Sequence, residues 1–283
     1  MRTRHDETEL DSSSLKSVQN EIGETEEKRK RSLQILKKNL SEVSGLNPCL
    51  DDIFLLRFLR VSKFDCSKAY NRILKFYQHH KAHPNVYGDF LPSAIVKAKD
   101  TRNLFVLPFR AKDNSVILVC QRKIYDSTAI SYDEIVRMHM LMLETLLMNP
   151  VTQMCGATII VDLRVSANLS EYTPSRLRFI SELLKNGSAA RVKAIHIVNI
   201  PSIFYLLYSL AHPFFPAKIK NRLILHSRYD NWKSLHSHIP PDNLTEEYGG
   251  NLKPCDVINI VDKLIENEDH FRKRLQYGFK DIK

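Results

Sequence analysis

Apolar positions fall along this chain in two regimes. From about residue 25 to residue 90 they recur three and four residues apart, the spacing that lines one face of a helix. From about residue 104 they come as short continuous runs alternating with helical stretches, the signature of strands buried on both faces. In the first regime Thr25 reads as an N-cap, with Glu26 and Glu27 in the first turn and Leu33, Leu36 and Leu40 behind them. Asp51 and Asp52 open a second helix with Ile53, Leu56 and Leu59 inward, and a third runs from about Asp65 to the turn before Pro84. Residues 1–24 are polar, acidic and Ser-rich, and read as a mobile segment with a short helix near Leu15.

In the second regime the strands read at Phe105–Leu107, Ser115–Arg122, Ala157–Leu163, Val192–Asn199 and Leu223–Leu225. Helices read at Tyr132–Met148, Pro174–Lys185, Ser202–His212 and Trp232–His238, with a last one near Asp256–Tyr277. Strand–helix alternation with short links predicts an α/β domain with a mostly parallel sheet. The expected division is a mobile segment 1–24, a helical module 25–90, the α/β domain 91–255 and a C-terminal helix in 256–283.

Composition narrows the function. The 283 residues suffice for a sizeable core, and no run reaches the roughly 18 uncharged apolar residues that span a bilayer. The opening MRTRHDETEL lacks an apolar stretch, so no secretory signal is expected. Five scattered cysteines without CxxC spacing point to neither disulfides nor a zinc site, and to a reducing cytoplasm. A net charge of +10 calls for an anionic partner, nucleic acid or membrane, and does not choose between them. Neither GxGxxG nor GxxxxGK[ST] occurs, nor GxSxG, HExxH or an evident carboxylate pair, so no enzyme and no cofactor is expected. Lys28-Arg29-Lys30-Arg31 reads as a solvated helix face rather than a nuclear signal. His79 and His83, four apart, have a spacing that suits a metal; with no carboxylate or cysteine nearby in sequence, they read as histidines at a helix C-terminus, and no metal is expected.

The stretch Ala189–Arg222 holds the distinctive chemistry. Arg191 and Lys193 flank Val192 and share one strand face. Ser202–Phe215 follows, aromatic and nearly uncharged, and then Lys218 and Arg222, four apart on a second basic cluster. Cations at the margins of an aromatic helix fit an apolar cavity with a charged rim better than a base-stacking nucleic-acid platform. The Met- and Leu-rich run from Met138 to Met148 suits a surface that adapts to a variable apolar guest.

Several motifs, taken in order, resemble the CRAL-TRIO family of lipid-binding proteins, its tocopherol- and retinaldehyde-carrying branches above all, with an insect-type leading helix. DDIFLLRFLRVSKFD and KAYNRILKFY resemble the family's N-terminal helical module. IIVDL, YTPS, RVKAIHIVNIPSIF, HPFFPAKIKNRLILH and HIPPDNLTEEYGG follow its lipid-binding domain. The resemblance implies a helical bundle beside an α/β domain whose sheet floors an apolar pocket. A mobile gate helix would close it, carrying Ile203, Phe204, Leu207, Tyr208, Leu210, Phe214 and Phe215. The implied pocket residues are Val136, His139, Leu143, Val161, Tyr172, Ile180, Leu183, Leu184, Val192, Ile195, Phe204 and Leu207. A cleft for phosphatidylinositol bisphosphate is implied at Arg191, Lys193, Lys218 and Arg222; a fifth family cation falls on Ser62, with Lys63 beside it as the substitute. His139 and Leu143 replace the serines of the tocopherol site, so the resemblance does not fix the cargo. After Asp162 the family's glycine turn is replaced by Arg164-Val165-Ser166, and Ala190 replaces the glutamate of the phosphatidylinositol-transferring branch. The expected protein is a cytoplasmic, reversibly membrane-associated monomer that binds and transfers a tocopherol-, retinoid- or isoprenoid-like lipid. The rival is a phosphoinositide-sensing adaptor or a phospholipid exchanger without dedicated cargo.

Overall fold

A computed structural model of the chain describes residues 4, 6–95, 98, 104–121, 129–164, 173–183, 188–212, 215, 217–227, 229–257 and 264–280, without the side chains of 174, 177, 180, 181, 203, 207, 210 and 211. Helix α1 spans Ser12–Ile22: the Asp11 carboxylate accepts from the Ser13 and Ser14 amides at its start, and Gly23, at φ 70°, ends it. Val18 and Ile22 sink into the core, so the short helix read near Leu15 is present and docked. Helix α2, Glu26–Ser41, starts at Thr25 as expected and buries Leu33, Leu36 and Leu40.

A two-residue strand β1, Leu46–Asn47, leads to helices α3, Asp52–Val61, and α4, Cys66–Ala82, capped by Asp51 and Asp65. Leu56 and Leu59 face inward, but Ile53 does not: it is 51% exposed. Helix α3 lies among α2, α4 and a later short helix, so Phe54, Leu55 and Phe58 are buried too, while Ile53 sits in the first turn at the surface. Helix α5, Pro84–Tyr87, closes this half.

Five strands then build one sheet in the order β2 (Leu104–Val106), β3 (Val116–Gln121), β4 (Ala157–Asp162), β5 (Val192–Val198) and β6 (Leu223–Leu225). Only the β2–β3 pairing is antiparallel; the rest are parallel. Helices α6 (Tyr132–Leu146), α7 (Pro150–Cys155), α8 (Pro174–Glu182), α9 (Ser202–Ala211), α10 (Ala217–Lys220) and α11 (Lys233–His236) connect and follow them. Gly156, at φ 85°, lets the start of β4 come against the Arg191 backbone; a side chain there would strike the Arg191 carbonyl.

The end of the chain returns to the beginning. A C-terminal helix over Glu268–Arg274 buries Phe271, and strand β7, Gly278–Phe279, pairs antiparallel with β1. The buried Glu144 of α6 binds Arg57 of α3 and Arg274 of that last helix, each at 2.6 Å. Burial pushes the Glu144 carboxyl up, and the two guanidiniums more than reverse this, holding it at about 2. The helical module, the α/β domain and the C-terminus thus meet on one charge cluster.

Candidate lipid-binding face and basic cleft

The two faces of the sheet differ. Behind it, Ile117, Val119, Ile160 and Val198 are fully buried against Leu235, Ile239, Leu244 and Tyr248. The strand ends on this side are tied by polar bonds. Asp162 accepts from Asn199 at 2.9 Å and from Tyr248 and Arg164 at 3.1 Å, and Arg164 also binds Glu247 at 2.6 Å. The sequence replacing the family's glycine turn therefore begins with a residue that pins the floor; residues 165–172 lie outside the described residues.

In front, side chains of alternate residues form an apolar floor that is incompletely covered. Registers Leu118–Ile159, Cys120–Val161 and Ile159–Ile195 place these residues on one face. Cys120, Ile159 and Val161 are only half-buried although they lie in the inner strands of the sheet. Burial nonetheless pushes the Cys120 thiol up to about 12. The Cys120 side chain is thus deep in the protein while part of its surface is left uncovered.

The structure places the sequence-predicted pocket residues as follows. Val136 of α6 and Leu183 border the same buried cluster as Cys120 and Ile159. Val161, Val192, Ile195 and Phe204 of α9 form a second cluster with Ile197 and Ile219. His139 is half-buried, its Nδ1 2.6 Å from the Ile135 carbonyl, and burial lowers its pKa. Leu143 packs instead against the helical module. Ile180 and Leu207 lie on α8 and α9, while Tyr172 and Leu184 fall outside the described residues. On α9, Phe204 stacks on Tyr208 with ring centroids 6.0 Å apart, and Tyr205 and Leu206 are 53% and 57% exposed. Ile203 and Leu210 lie on the same helix; Phe215 is half-buried and Phe214 is outside the described residues. A separate cavity of about 450 Å³ opens between α4 and the C-terminal segment, lined by Phe76, Tyr77, His80, Tyr87, Phe271 and Tyr277 among others; none of the sequence-predicted pocket residues reaches it.

The cations of the expected cleft converge. The Lys218 ammonium has its pKa lowered by burial and then by Arg222, Arg72, Arg191 and Lys63, which crowd one site with positive charge. Arg72 was not singled out from sequence; on α4 it looks like any exposed helix cation, and only packing brings it to Ser188, whose carbonyl it binds at 3.1 Å. Arg191 and Arg222 also have structural duties, donating to the Met154 and Val192 carbonyls. An acidic side chain enters the cluster: Glu21 of α1 binds Arg191 at 2.6 Å and Lys193 at 3.0 Å. Burial opposes its ionisation, but Lys193 and Arg191 hold its pKa below the ordinary carboxylate value. Among the described residues no carboxylate pairs with Lys63 or Lys218.

Sequence reasoning also missed a histidine pair behind the sheet. His196 Nδ1 and His226 Nε2 lie 2.8 Å apart, and His226 Nδ1 lies 2.8 Å from the Ser234 hydroxyl. Burial lowers both, to about 3 and about 4, so the pair is neutral and structural. Among the described residues no helix is long and apolar enough to cross a membrane.

Residues 100–250 match the family model described as the CRAL/TRIO domain. The chain is 32% identical over 256 residues to the protein called alpha-tocopherol transfer protein-like of Homo sapiens, across 89% of this chain and 74% of that one. It is also 32% identical over 211 residues to Clavesin-1 of Rattus norvegicus, across 73% of this chain and 59% of that one. Among solved structures, Sfh5 aligns over 95% of this chain and 98% of its own with a TM-score of 0.46 and 14% identity. With the family model covering more than half of its length and a sheet and helices in the expected order, this chain belongs to the CRAL/TRIO family.

Proposed function

We propose that this protein binds a small lipophilic molecule between the front of its sheet and helices α6, α8 and α9, and exchanges it at anionic membranes engaged by the basic cluster. The observation that carries the reading is the half-covered row Cys120, Ile159 and Val161, set in inner strands whose opposite face is fully buried at Ile117, Val119, Ile160 and Val198. An enclosed apolar guest gains about 25 cal/mol for each Å² it removes from water, which makes burial the source of affinity. The name of the human relative, alpha-tocopherol transfer protein-like, supports a lipophilic cargo of the tocopherol kind, of which retinoids and isoprenoids are the alternatives we keep open.

Helix α9 supports a gate: it turns Phe204 inward and Tyr205 and Leu206 outward, so its outer side is itself suited to lipid. Lys63, Arg72, Lys218 and Arg222, joined by Arg191 and Lys193, offer charge-assisted hydrogen bonds to the clustered phosphates of phosphatidylinositol bisphosphate. A monomer suffices for this cycle, and no bond of the cargo is made or broken in it.

Lys63 and Lys218 are exposed and make no ion pair among the described residues, so their replacement spares the backbone bonds that Arg191 and Arg222 hold. Each cation near an anionic surface contributes about 1 kcal/mol, so K63A/K218A should weaken binding to phosphoinositide vesicles roughly thirtyfold. Cargo binding in solution should be unchanged; loss of both together, or of neither, would overturn the division of labour. A membrane adaptor or phospholipid exchanger is the second reading, favoured by a basic cluster that is complete without any cargo. Native mass spectrometry of protein from its own cells separates them: one lipophile of defined mass supports the carrier, a mixture of bulk phospholipids the alternative.

A further inference from the structure

Helix α4 presents His79 and His83 one turn apart, and the fold sets the carboxylate of Glu182, at the end of α8, against both. His83 Nε2 lies 3.4 Å from Glu182 Oε2 and His79 Nδ1 lies 3.8 Å from the same oxygen. One donor atom from each of the three residues falls within 4.8 Å of the others. His79 is 6% exposed, and both of its ring nitrogens are buried without a hydrogen-bond partner among the described residues. A buried imidazole with two unmet nitrogens is costly and rare, and it calls for a partner. Its ring is held from the sides by Tyr87 and Phe179, with centroids 5.6 and 4.9 Å away, so its nitrogens are oriented by packing rather than by bonding.

We propose that His79, His83 and Glu182 form a binding site for one divalent ion of the zinc class, with two imidazole nitrogens, one carboxylate oxygen and an open fourth position. The donor chemistry is that of zinc: borderline nitrogen ligands with one oxygen, and too few oxygens for calcium or magnesium. Zinc bonds of about 2.0–2.2 Å require donors roughly 3.4 Å apart; Glu182 Oε2 already lies 3.4 and 3.8 Å from the two imidazoles, and the wider gap, between the imidazoles themselves and at most 4.8 Å, closes by turning the partly exposed His83 ring. Arg178, 2.8 Å from Glu182 Oε1, occupies the oxygen that the ion leaves free and orients the carboxylate, as partners of metal ligands do. The histidine spacing alone lacked its third ligand, which lies about a hundred residues away in sequence. Since α4 belongs to the helical module and α8 to the α/β domain, an ion here fastens one to the other beside Leu183 on the lipid-binding face.

The test uses the full chain without a histidine tag, stripped with a chelator and titrated with zinc by calorimetry, and with cobalt(II) by its visible spectrum. The expected result is one equivalent of either ion, with the intense bands of a four-coordinate cobalt site. H83Q and E182Q, which alter partly exposed side chains, should each weaken zinc at least tenfold with an unchanged circular-dichroism spectrum. H226Q, at the other histidine cluster, should leave binding intact. Binding lost in H226Q, binding untouched in H83Q and E182Q, or no binding at 100-fold molar excess of zinc would overturn the proposal.

Discussion

Glu144 shows what single residues contribute here. In sequence it only interrupts a run of methionine and leucine; in the fold it is the counterion of Arg57, whose guanidinium lies 4.2 Å from the Phe54 ring centre and is almost wholly buried. Replacing Glu144 by Gln strands that charge, and breaking a buried pair on one side costs about 3–5 kcal/mol. Urea denaturation of E144Q should show that loss. The sign with pH is fixed by its lowered pKa: an unfolded carboxyl near 4.5 against about 2 in the fold. Its stabilisation is complete above pH 4.5 and disappears as pH falls toward 2, so E144Q should lose less stability than the wild type across that window. Residues of this kind were not legible in the sequence, because a lone charge in an apolar run names no partner. Ile53 shows the converse error: helical periodicity alone assigned it inward, and only the three-sided packing of α3 shows that its neighbours Phe54 and Leu55 belong inside instead.

Elements were far more legible than side-chain partners. All five strands of the main sheet and helices α6, α8, α9 and α11 were read from the sequence, differing by a few residues at their ends, because strongly apolar runs and caps act locally. The β1–β7 pair escaped, since two-residue strands whose paired residues lie 231 and 233 apart carry no periodicity. Helix α1 was under-read for a related reason: its polar surface resembles a tail, and its two core contacts, Val18 and Ile22, look unremarkable alone. Its docking has a functional consequence. Glu21 places a carboxylate on Arg191 and Lys193, where the proposed phosphate head group would bind, so α1 would compete with a membrane engaged there. E21Q removes one negative charge there, which at about 1 kcal/mol should raise affinity for phosphoinositide vesicles roughly fivefold. The gain should shrink in high salt, as a half-exposed ion pair is screened. Equal vesicle binding by E21Q and wild type at low salt would remove α1 from the membrane cycle.

At the scale of the whole molecule, the sheet divides the α/β domain into a closed half and an open half, and adjacent residues of β4 report on each. Ile160 points back into a filled core with Tyr248 and Leu252, while Val161 points forward toward Phe204 and the half-covered floor. Overpacking a filled core forces side chains off their rotamers and costs about 1–3 kcal/mol or more, whereas an added ring is tolerated where space already exists. I160W should therefore lower the unfolding midpoint markedly. V161W should keep the wild-type stability within about 0.5 kcal/mol, and lose lipophile binding by roughly tenfold or more because the indole fills the guest's place. Its binding to phosphoinositide vesicles should persist, since the cations lie on β5, α4, the turn after α3 and the α10 region rather than on the floor. Chemical denaturation, retention of a co-purifying lipid and vesicle sedimentation measure the three quantities on the same two variants. If V161W unfolds as readily as I160W, the front of the sheet is solid core, and cargo cannot reside there. If V161W is stable and still carries its lipid, the guest lies elsewhere, and the aromatic-lined cavity beside His80 and Tyr87 becomes the place to look.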